Sequence, residues 1–125
     1  MSEVLRRLED CKDDFERDCV KSVQGIAEQL QKIYEGEIES DIEEGEKMTL
    51  NEYFDDFLDV EYIVNCHKEY KSAKVWITLG GPGICIDTDD AMVKLYWGST
   101  RAEAPFDYNV RDVIDDIFEE IYNID

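Results

Sequence analysis

The chain has 125 residues, with 32 Asp and Glu against 13 Lys and Arg, a formal net charge of −19. Such an excess repels nucleic acid and anionic lipid heads, and it costs the folded state some stability through self-repulsion. Hydrophobic residues make up 43% and there are 14 aromatics. A disordered acidic tail is therefore excluded, and one domain spanning residues 1–125 with a single core is expected.

Residues 4–34 carry Leu8, Cys11, Phe15, Cys19, Val23, Ile26, Leu30 and Ile33 at steps of three and four. This spacing predicts an amphipathic helix. Unbroken, it would be about 45 Å long, so it either protrudes or breaks, with Gly25 the weak point. The run 35–47 is almost entirely acidic with two glycines, and reads as a loop or poorly ordered linker. Thr49 and Glu52 form a capping box for a second helix over roughly 50–58, packing Leu50, Tyr53, Phe54, Phe57 and Leu58.

The periodicity then changes to two. Val60, Tyr62, Val64 and Cys66 share one face, as do Val75, Ile77 and Leu79, then Ile84 and Ile86, then Val93, Leu95 and Trp97. Alternation of this kind predicts four half-buried strands. The short turns KEYKS, GGPG and TDDA require antiparallel neighbours, hence a meander. Ala102–Phe106 is a fifth segment, and Pro105 fits an edge strand. Asn109 is a candidate N-cap for a final helix over 109–123, whose apolar face runs from Val110 to Tyr122. The expected class is α+β: N-terminal helices, a four- to five-stranded antiparallel sheet and a C-terminal helix packed on it. Trp76 and Tyr96 fall on the other sheet face. The N-terminal helix would cover them in a three-layer arrangement; exposed, they would be anchors for a partner.

Chemistry is sparse. There is one histidine, and neither a GxSxG elbow nor an HExxH pair occurs, so no enzymatic activity is expected. Gly80–Gly83 lies between strands, whereas a phosphate cradle needs a helix N-terminus after the loop. Asp87–Asp90 lacks the glycine and distal glutamate of a calcium loop. The four cysteines form no CxxC pair. Zinc is the one candidate cofactor, with Cys66, His67 and Cys85 as ligands; buried small hydrophobes are the competing role for the cysteines. No apolar run reaches the ~20 residues of a membrane span, and no signal-peptide pattern opens the chain, which predicts a cytoplasmic protein.

The acid is concentrated. Between Glu35 and Glu61 there are 12 carboxylates and one lysine, and the last 19 residues hold seven carboxylates and one arginine. Duplex DNA carries one charge per ~1.7 Å of axis. A surface approaching that density would compete for the lysines and arginines of a nucleic-acid groove. The candidate contact residues are Glu37, Glu39, Asp41, Glu43, Glu44, Asp55, Asp56 and Asp59, together with Asp112, Asp115, Asp116 and Glu119. The competing reading is a solvated acidic surface without a partner.

Residues Gly80–Pro82, Ile86–Thr88, the strand Val93–Gly98 and the acidic helix Val110–Tyr122 follow the order GGP, IDT, VxLYWG, helix. In that order the C-terminal third to half of the chain resembles small acidic proteins of phages and conjugative elements, some of them similar to type II anti-CRISPR inhibitors. The resemblance implies a partner, an RNA-guided CRISPR effector nuclease in a bacterial host cell, whose DNA entry is blocked. Zinc binding by some such inhibitors keeps the metal open. It carries over no functional residue. An antitoxin or immunity-type partner of a basic protein, and a zinc-stabilised structural module, are the alternatives.

Overall fold

The computed structural model of the protein describes residues 14–40, 42 and 44–124. Five strands form one antiparallel sheet in sequence order: β1 Asp59–Val64, β2 Tyr70–Thr78, β3 Gly83–Asp87, β4 Met92–Trp97 and β5 Thr100–Pro105. The meander follows from the short connections. The tightest joins β4 to β5 through Gly98 and Ser99, with Trp97 paired to Thr100 and Gly98 at φ +62°. A glycine with positive φ at the first of two loop residues matches the right-handed twist of the flanking strands.

One register row crosses the whole sheet: Val60, Val75, Ile86, Val93 and Ala104. The last four are buried, Val60 is half-buried, and their side chains form the floor of the core. Helices α1 (Asp14–Tyr34) and α3 (Tyr108–Ile124) cover this face, α1 over β4 and β5 and α3 against β2. α1 buries Cys19, Val20, Val23, Ala27, Leu30 and Ile33. It is about 30 Å long over these residues and runs through the exposed Gly25 without a break. Leu8 and Cys11, expected on the same stripe, lie outside the described residues.

Several expectations are corrected. Both helices occupy the same face, so Trp76 and Tyr96 lie half-exposed on a face that the described residues leave open, and these residues form two layers, not three. The second helix, α2 (Leu50–Tyr53), continues only as a 3-10 turn, Phe54–Asp56, and Leu58 is exposed. The Thr49 hydroxyl does cap it, accepting the Glu52 N–H at 3.2 Å. β2 begins earlier than its alternation suggests, because Lys71 and Ile77 are extra residues at two irregularities in its pairing. Each one switches the side-chain parity, as bulges do. Asp107, not Asn109, caps α3: its carboxylate accepts the Asn109 N–H at 2.9 Å. A carboxylate there meets the positive end of the helix dipole, which a neutral amide answers less well.

Two apolar pins hold the described residues at either end of the acidic run. Ile38 and Met48 pack against the core, Met48 N–H donates to the Ile38 carbonyl at 2.8 Å, and Glu39 pairs with Lys47. A short hairpin therefore replaces the expected linker. Among the described residues no helix is long and apolar enough to cross a membrane.

Candidate acidic interface

The carboxylates sit on two elements of the helical layer. The first is the stretch from Glu37 to Asp56. Glu37, Glu39 and Glu44 are exposed on the hairpin, and Asp55 and Asp56 are exposed on the 3-10 turn. Ile42, Glu52, Asp55 and Asp56 share one shallow depression of about 290 Å³. Glu46 and Lys47 meet Asp55 in a neighbouring one of about 460 Å³. The Ser40 hydroxyl donates to the Glu52 carboxylate at 3.0 Å, tying hairpin to helix. Asp41 and Glu43 lie outside the described residues. Charge crowding shows at the hairpin's base. A side-chain hydrogen bond with Glu35, and then its charge, raises the Glu37 carboxyl above the usual range, while a hydrogen bond from Gln31 holds Glu35 below it.

The second element is α3. Val110, Ile114 and Phe118 are its buried positions, which turns Asp112, Asp116 and Glu120 outward at successive steps of four. Each stands about 6 Å from the next along the axis. With Asp115 and Glu119 they place five carboxylates over about 12 Å of helix, where duplex DNA carries about seven charges. Arg111 answers Asp112 at 3.0 Å. Among the described residues Asp116, Glu119, Glu120, Asp55 and Asp56 have no ion pair. Asp115 differs from its neighbours. It is half-buried and accepts the Tyr70 hydroxyl at 2.6 Å, so its first role is to fix α3 to β2.

The two elements meet in the core. Phe118 packs edge-on against Phe54 at 5.5 Å and against Phe57 at 5.2 Å. The acidic 3-10 turn and the acidic helix are thus set against each other by three aromatic rings. Asp59 does not join them: it opens β1 on the other sheet face, with its carboxylate accepting the Val60 N–H at 2.9 Å.

That other face has a different electrostatic character. It carries Lys74, Lys94 and Arg101 among Asp59, Glu61, Asp87 and Glu103. Lys94 bridges Asp87 at 3.0 Å and Asp90 at 2.8 Å. Burial lowers the Lys94 ammonium, but hydrogen bonds to Asp90 and Asp87 outweigh it and hold the group above its ordinary range. The Trp76 indole N–H donates to Glu61 at 2.7 Å, and its ring lies 6.0 Å from Tyr96. Gly83 leaves room beneath: a Cβ there would meet Trp76 Cζ3 at 3.3 Å.

The zinc candidates are not brought together. Cys66 and His67 are exposed in the β1–β2 turn, which Asn65 organises by accepting the His67 and Glu69 N–H groups at 2.9 and 3.0 Å. Cys85 is fully buried in β3 opposite Trp76. Trp76 is six residues along β2 from Tyr70 at that turn, a separation of about 20 Å. No cluster of three or more His, Cys, Asp or Glu suited to a metal occurs among the described residues.

Glu46, Glu52 and Glu120 also belong to the acidic surface, beyond the contact residues that the sequence marks. Glu120 was legible from its four-residue step beyond Asp116. The other two needed the fold of the hairpin. Comparison with protein-family models, curated proteins and solved structures finds no match to this chain.

Proposed function

We propose that the protein is an acidic inhibitor that seats its helical layer in the basic groove of a nucleic-acid-binding enzyme, with a type II CRISPR effector nuclease as its target. The observation that carries this reading is the asymmetry of charge. Asp55, Asp56, Asp116, Glu119 and Glu120 stand exposed on the helical side, without an ion pair among the described residues, while the open sheet face holds cations and carboxylates in near balance. A fold gains no stability from five uncompensated carboxylates. A cationic channel gains attraction and rapid encounter from them.

The mechanism is exclusion. Such effectors hold their heteroduplex in a positively charged channel. Side chains that engage its lysines and arginines leave none for phosphate. Rigidity helps, because the α3 carboxylates ride on a helix anchored by Phe118 and Tyr70, and little order is lost on binding. The acidic field also keeps nucleic acid itself from being a ligand.

The experiment is a calorimetric titration of guide-loaded effector with the protein, alone and after saturation with target duplex. Mutually exclusive binding is expected. Equal affinity for the free and the duplex-bound effector would remove the mechanism.

A further inference from the structure

β5 closes one edge of the sheet, and the described residues leave its outer backbone open. Its pairing with β4 runs in continuous register from Trp97–Thr100 to Met92–Pro105, and the Phe106 N–H donates to the Ala91 carbonyl at 3.0 Å. Backbone groups alternate sides in an antiparallel ladder. Ala102 and Ala104 therefore turn theirs toward β4, and Arg101 and Glu103 turn theirs outward. No sixth strand takes them among the described residues. Pro105 falls on the outward register, where a missing N–H costs no ladder bond.

Helix α1 runs alongside. Phe15 packs on Trp97 at 4.9 Å near one end of β5, and an open groove of about 610 Å³ lies between Ala27 and Ala104 near the other. Two alanines give this groove shallow apolar walls. Its mouth is anionic: Glu28 and Asp107 both line it. The Asp107 charge reaches Glu35 beyond, so the acidity continues past the groove.

We propose that the β5 edge and the α1 groove take an extended basic segment of a partner protein, which adds to the sheet as a sixth strand. Main-chain bonds to Arg101 and Glu103 would hold the strand, the mode of recognition open sheet edges offer. Every second side chain of the incoming strand faces the groove. Lysine or arginine fits there, with its alkyl stem along Ala27 and Ala104 and its charge at Glu28 or Asp107. A second copy of this chain is disfavoured as occupant by its net charge of −19 and by the acidic mouth. The inference stands on the strand edge and groove, independently of the proposed inhibition.

The probe is a capped octapeptide of alternating lysine and valine, titrated into the isotopically labelled full chain and followed by amide resonances. Shifts are expected at Ala27, Arg101 and Glu103. A peptide N-methylated at every residue, which offers a ladder donor on neither edge, should bind at least tenfold more weakly. Glu103→Pro should keep the fold, since its N–H points away from β4, and lose peptide binding. Glu28→Lys and Asp107→Lys should each weaken binding about tenfold. Equal binding of the N-methylated peptide, which requires no variant to fold, would overturn the proposal. So would shifts confined to the α3 carboxylates, or a concentration-dependent dimer that Glu103→Pro abolishes.

Discussion

The Tyr70 hydroxyl donates to the Asp115 carboxylate at 2.6 Å, joining residues 45 apart in sequence and locking α3 to β2. Burial raises the Tyr70 phenol well above its ordinary range, and the Asp115 hydrogen bond and charge raise it further. A group whose folded pKa is raised contributes stability below its unfolded value, near 10, and loses it as pH climbs above. Tyr70→Phe should cost roughly 1.5–3 kcal/mol at neutral pH, the worth of a hydrogen bond to a charged acceptor. Thermal melts at pH 7 and pH 11 measure both effects, and the difference between wild type and variant should shrink at the higher pH.

Phe118 is fully buried and touches both Phe54 and Phe57. Phe118→Ala should destabilise by about 3–5 kcal/mol, the usual cost of removing a large core ring. The effect is expected to be concentrated between the 3-10 turn and α3. Hydrogen exchange should show those segments losing more protection than the β3–β4 ladder. Uniform loss across the molecule would contradict the placement of this ring as the joint between the two acidic elements.

Burial pushes the Cys85 thiol up to about 12. It should resist disulfide reagents at pH 8, where the exposed Cys66 reacts promptly. Trp76 sits opposite Cys85 in register on the open sheet face. Trp76→Ala should therefore expose the thiol and speed its modification at least tenfold, read site by site by mass spectrometry. Because the folded value is the raised one, Cys85 adds to the loss of stability above about pH 9.

Lys94 separates two aspartates that look alike in sequence. Asp87 is 8% exposed and Asp90 45%. Removing a partner from the buried arm leaves charge without solvent, whereas an exposed pair contributes little. Asp87→Asn should cost about 2–3 kcal/mol and Asp90→Asn less than about 1 kcal/mol, measured by urea unfolding. Equal effects would show that burial does not distinguish the two arms.

Most of the fold was legible because its signals are local. Alternation from Val60 to Trp97 marked the strands, short turns gave their order, Pro105 marked the edge and Thr49 the cap. What escaped depended on comparing faces. Trp76, Cys85, Met92 and Tyr96 are nearly as apolar as Val75, Ile86, Val93 and Leu95, so alternation alone does not say which side a helix covers. Lys71 and Ile77 shift the parity of β2 without any change in composition. The hairpin at 38–48 was hidden by its own acid, since only Ile38 and Met48 betray it. The candidate surface was readable as two acidic segments. Their meeting at Phe118, the diversion of Asp115 to Tyr70 and the separation of Asp59 required the third dimension. Cys66, His67 and Cys85 were linked by residue type alone, and strand geometry keeps them apart.

The most direct measurement is the fraction of labelled target duplex retained by guide-loaded effector as protein is added, for wild type and for a chain carrying Asp55→Lys, Asp56→Lys, Asp116→Lys and Glu120→Lys. The account predicts displacement by wild type at low salt, fading as salt rises, and at least a hundredfold weaker displacement by the folded variant. Undiminished displacement by the variant, or full retention of duplex with wild type at low salt, would contradict it.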